Sequence, residues 1–98
     1  MSGRRTVDGL KQTATLSRLL EALLKDLPDM NLWELSRSVG APAVRVTSLI
    51  DKLEDRRWIT GEWETGVPEG VARRRFYRLT PIGRTHALML LRRYDDLP

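Results

Sequence analysis

The chain has no cysteine, which excludes disulfides, thiolate metal sites and a cysteine nucleophile. The lack of disulfides also fits a reducing compartment. Only one histidine is present, His86, and no second donor stands at ligand spacing from it, so neither a metal site nor a serine–histidine pair can be read. No apolar run approaches the ~18 residues needed to cross a bilayer. Arg4 and Arg5 are not followed by the apolar segment of a secretory signal. A phosphate-cradling glycine loop is missing as well, because Gly66 and Gly70 precede a strand-like run and not a helix. Glu54-Asp55 and Asp95-Asp96 read as solvated charges at helix ends. The expectation is a cytoplasmic protein that makes no membrane contact, carries no cofactor and is not an enzyme.

What remains is compact and basic. Ninety-eight residues allow one domain with a modest core, a size at which pairing with a second copy commonly adds stability. The net charge of +4 is unevenly spread. Residues 1–55 carry eight basic and eight acidic side chains, whereas 56–98 carry nine and five. The whole excess therefore lies in the second half, as expected for contact with nucleic acid or another polyanion.

Hydrophobic spacing divides the chain into elements. Residues 1–12 are polar and aperiodic and read as a flexible basic arm, in which Arg4, Arg5 and Lys11 could meet a phosphate backbone. Leu16, Leu19, Leu20, Leu23, Leu24 and Leu27 form one helical stripe, which predicts a helix over 13–27, capped by Thr13 or Thr15 and stopped by Pro28. A second helix is predicted over 31–39. Asn31 and Glu34 make a variant of the capping box, Leu32, Leu35 and Val39 share a face, and Gly40 follows the last turn. Pro42 suits the first position of a third helix over 42–56, with Val46, Leu49, Ile50 and Leu53 facing inward.

The period then changes from 3.6 to 2. Residues 58–79 read as a hairpin, in which Ile59, Gly61 and Trp63 share one side and Tyr77 and Leu79 point inward. Its loop contains Gly66, Pro68 and Gly70. Thr80-Pro81 restarts a helix over 81–95. That helix is apolar all round at 87–91. One face is expected to pack on its own domain; unless the first helix wraps it completely, the other meets a partner helix through Leu88, Met89, Leu91 and Tyr94.

Helix, helix, tight turn, helix, strand, basic loop, strand, helix is the order of a winged helix-turn-helix, a mainly α fold with a small β-hairpin, here occupying 13–98. Opposite the core stripe of the third helix lie short or hydrogen-bonding side chains, which allow close approach to base edges. Ala43, Val44, Arg45, Thr47, Ser48 and Lys52 are the candidate DNA-contacting residues. Asp51 and Asp55 project on the same side, so only the N-terminal half should enter a groove. Arg73, Arg74 and Arg75 cluster at the hairpin edge, with Arg78 beyond. Three adjacent guanidiniums repel one another, and contact with phosphates or a minor groove explains them.

The segment Arg74-Arg75-Phe76-Tyr77-Arg78-Leu79-Thr80-Pro81-Ile82-Gly83-Arg84, with Trp63-Glu64 before the basic loop, resembles the wing and following helix of the PadR family of bacterial regulators. Residues 46–59 resemble the recognition helix and first wing strand shared by PadR and MarR proteins. Arg57 stands where those families usually have glycine. The resemblance implies a homodimeric transcription factor, usually a repressor, that pairs through its terminal helices on duplex DNA. A small-molecule effector would have only Trp33, Trp58 and Trp63 to line a pocket, and these also suit core and wing packing. The competing reading is a winged helix that docks on another protein.

Overall fold

A computed structural model of the chain describes residues 6–7, 10–11 and 13–95, with the side chains of 6, 7, 11 and 93–95 outside the description. Helix α1 spans Ala14–Leu24. Thr13 caps it, its hydroxyl accepting from the Leu16 amide at 3.1 Å. The leucine stripe behaves as its spacing requires: Leu16, Leu19, Leu20 and Leu23 are buried. The helix stops three residues short of the expected end. Leu27, placed on the core stripe by periodicity, is 48% exposed. The chain leaves the helix at Asp26, which takes the left-handed conformation (φ 52°), and Pro28 disfavours helical geometry at Leu27 itself.

Helix α2 spans Leu32–Val39, and the Asn31 carboxamide accepts from the Glu34 amide at 3.0 Å. Gly40 closes it in the left-handed region, as the sequence suggests. Helix α3 spans Ala43–Asp55 and buries Val46, Ile50 and Leu53. Its end is a Schellman closure, with the Trp58 amide donating to the Leu53 carbonyl at 3.0 Å and the Arg57 amide to Glu54 at 2.9 Å. Arg57 occupies the left-handed position of that motif at φ 59°. Trp58, 1% exposed, packs into the core just beyond it.

Strands β3 (Ile59–Trp63) and β4 (Arg75–Leu79) pair antiparallel, from Ile59 opposite Leu79 to Trp63 opposite Arg75. The outer edge of β4 is held to the α1–α2 connection, where the Tyr77 amide donates to the Met30 carbonyl at 2.8 Å. Tyr77 and Leu79 pack on the core as expected. Trp63 departs from the alternating pattern and is 58% exposed, since it lies at the far end of the hairpin, beyond the reach of the core.

Helix α4 spans Pro81–Asp95, the predicted range. Thr80 joins it to the preceding elements: its hydroxyl accepts from the Gly83 amide at 3.0 Å and donates to the Arg57 carbonyl at 2.7 Å. Ala87 and Leu90 reach the core, and His86 stacks on Trp58 with ring centroids 4.5 Å apart.

At the other end of the chain, the expected arm contains paired backbone. Strands β1 (Thr6–Val7) and β2 (Leu10–Lys11) are antiparallel, and Leu10 is buried in the core. Burial of that one apolar side chain explains why residues 10–11 are not free; Arg4 and Arg5 lie outside the described residues.

Candidate nucleic-acid interface

Helix α3 is amphipathic in the required sense. Val46, Ile50 and Leu53 fix its back to the core, leaving Ala43, Val44, Arg45, Thr47, Ser48 and Lys52 all exposed on its other side. Val44 is 80% exposed. An isolated valine so placed gains nothing from its own fold, but it suits contact with a thymine methyl. Asp51 and Asp55 are exposed too, at the C-terminal half. The N-terminal half therefore carries the uncharged and cationic groups, along with the positive end of the helix dipole.

The wing arginines do not act as one cluster. Arg73 and Arg74 are exposed, and among the described residues neither side chain forms an ion pair. Arg75 is turned back onto its own protein. Its Nη2 lies 3.2 Å from Glu54 Oε2, and its guanidinium carbon is 5.1 Å from the centre of the Trp63 ring. Gly61 makes room for it: a Cβ there would come within 2.5 Å of Arg75 Nε. Arg78 is likewise engaged, gripping Asp26 at the end of α1 with contacts of 3.2 Å. Arg75 thus does serve its own fold: it has two partners and ties β4 to the last turn of α3.

Tyr77 is set into the same corner. Burial pushes its phenol above the ordinary value of 10.0, and the carboxylates of Glu54 and Asp51 add to the rise against the opposing pull of Arg75.

The three tryptophans do not form one pocket. Trp58 is core, while Trp33 and Trp63 are exposed on α2 and β3. The two hollows walled by Trp33 include neither of the others. Sequence reading offered Trp33 only for an effector pocket or for packing, yet its exposure follows from the helical wheel that put Leu35 and Val39 inside. On α4, Leu88 and Met89 are exposed and Leu91 is half-buried against the core; the Tyr94 side chain lies outside the described residues. No group of three or more His, Asp or Glu side chains among the described residues is arranged to hold a metal, and no helix there is long and apolar enough to cross a membrane.

No protein-family profile matches this sequence, nor does any curated protein. Solved structures do share its architecture. MepR from S. aureus superposes with a TM-score of 0.69 at 15% identity, over 86% of this chain and 58% of that one. A MarR family transcriptional regulator from Silicibacter pomeroyi gives 0.58 at 24%, over 85% of this chain and 54% of its own. The circadian clock associated protein Pex from Anabaena gives 0.66 at 27%, over 87% and 77%. The chain thus spans little more than half the length of the first two. These likenesses establish the fold as a winged helix of the type found in MarR family regulators.

Proposed function

We propose that the chain is a sequence-specific double-stranded DNA-binding transcriptional regulator of the PadR/MarR type, acting as a homodimer and most simply as a repressor. One observation carries the reading. Helix α3 is anchored by Val46, Ile50 and Leu53, while its opposite face from Ala43 to Lys52 is bare, small at its N-terminal end and free of carboxylates there. Such a helix is shaped to enter a major groove. Arg45 suits bidentate contact with guanine, Thr47 and Ser48 suit a base edge or phosphate, and Lys52 suits a phosphate. Arg73 and Arg74 supply backbone contacts from the wing, with Arg75 holding the wing to the helix.

The homodimer is supported by α4, where Leu88 and Met89 present apolar surface to solvent. Duplex titrations across a range of salt test the whole reading. Each phosphate neutralised adds about 0.9 to the slope of log affinity against log salt. Arg73→Ala with Arg74→Ala lowers that slope on every sequence, whereas Arg45→Ala changes sequence preference by about 1–3 kcal/mol per lost base contact. Affinity that is weak and flat across salt rules the regulator out. It would leave the protein-docking winged helix, which the exposed Asp51 and Asp55 favour.

A further inference from the structure

Trp33 is 69% exposed on α2, a large apolar ring with no packing role to explain it. With Leu32 it walls both of two hollows. One, of about 460 Å³, is bounded by Asn31, Leu32, Glu34, Arg74 and Arg75. The other, of about 640 Å³, runs past Ser36 and Arg37 to the Gly40–Ala43 turn that leads into α3. The indole therefore stands between a wing arginine and the first residue of the helix proposed to read the groove. Arg37 follows one turn later at i+4, exposed, and makes no ion pair among the described residues.

We propose that Trp33 is a DNA-contacting residue: one phosphodiester strand crosses α2 with its sugar face on the indole and its phosphates on Arg37 and Arg74. The inference rests on the DNA-binding reading above and extends the surface to α2, which that reading leaves unused. Its chemistry suits a sugar–phosphate strand: an apolar plate flanked by two cations that form no ion pair among the described residues. Among the described residues Glu34 is the one carboxylate lining these two hollows, and it is half-buried; Asp29 and Glu64 stand nearby, Glu64 Oε1 accepting from the Arg74 amide at 3.3 Å. In the helix-turn-helix arrangement the first helix crosses the DNA backbone, which places α2 where such a strand runs. An aromatic contact releases no counterions, so it adds affinity without adding to the salt slope.

The test is anisotropy of a labelled mixed-sequence duplex with the full chain. Trp33→Ala should bind about tenfold more weakly at every salt concentration, giving a line parallel to that of the parent. Trp33→Phe should recover most of the loss. Arg37→Ala should instead reduce the slope by about 0.9. A second measurement leaves the protein unaltered apart from 5-fluorotryptophan, whose three fluorine resonances are assigned with Trp33→Phe and Trp63→Phe. The Trp33 resonance should move on adding duplex while that of buried Trp58 stays. Unchanged affinity of Trp33→Ala, or a stationary Trp33 resonance while the parent binds, overturns the proposal and leaves the ring to a protein contact. A parent that binds no duplex defeats the DNA-binding reading first, and that failure is visible without any variant.

Discussion

Gly83 lies where α4 meets the end of α3, and a Cβ at that position would overlap the backbone carbonyl of Trp58. No side chain can be accommodated unless the backbone shifts, so Gly83→Ala should cost about 1–3 kcal/mol in urea unfolding. Arg57 shows the opposite relation. It holds a left-handed conformation at φ 59°, which costs a residue with a Cβ roughly 1–2 kcal/mol and glycine nothing. Glycine has more freedom to lose on folding, so Arg57→Gly should stabilise by a net ~0.5 kcal/mol. An unfolding midpoint below that of the parent would contradict the strain. Tyr77 gives a pH prediction. With its phenol pKa raised in the fold, native and unfolded chains carry the same proton below about pH 10. Above that, the unfolded chain loses its proton first, so Tyr77 makes stability fall as pH rises through the raised value. Unfolding of the parent should show this alkaline loss, and Tyr77→Phe should lack that share of it.

Between elements, the contact that matters most for the proposed interface is Arg75 with Glu54, both side chains 29% exposed. Partial exposure limits its strength: a double-mutant cycle of Glu54→Ala and Arg75→Ala should give a coupling of ~0.5 kcal/mol, weakening with salt. Zero coupling would mean that the wing is held without this pair, by the strand ladder, Thr80, the Tyr77–Met30 hydrogen bond and the Arg78–Asp26 pair. This is also where sequence reading stopped. Helices, caps and the hairpin were legible because their signals are local: the leucine stripe of α1, Asn31 three residues before Glu34, and Thr80-Pro81 ahead of α4. Arg75 and Arg78 were not, because their partners lie 21 and 52 residues away and depend on the fold itself. Leu27 was misplaced by periodicity although Pro28, next to it, held the correction. The two-residue strands of the N-terminal hairpin are too short to show any period. The exposed face of α3 needed only the 100° rule, so which of its side chains stay in water was readable in advance, while the contacts that turn Arg75 and Arg78 back onto the protein were not.

At the scale of the whole molecule, the apolar surface on α4 and the bare surface on α3 make separate demands. Leu88 and Met89 leave an apolar strip in water, which pairing with a second copy would cover. Sedimentation of the parent should show a concentration-dependent dimer, and Leu88→Glu with Met89→Glu should give a monomer that remains folded. Duplex affinity should fall in that monomer, because two linked half-site contacts become one. The two surfaces can be separated by amide chemical-shift mapping of isotope-labelled protein titrated with a duplex it binds. The largest shifts are expected at residues 43–52 of α3 and at Arg73 and Arg74, with the amides of 82–92 in α4 little changed. Shifts centred on α4, with α3 and the wing unmoved, would contradict a groove-reading helix.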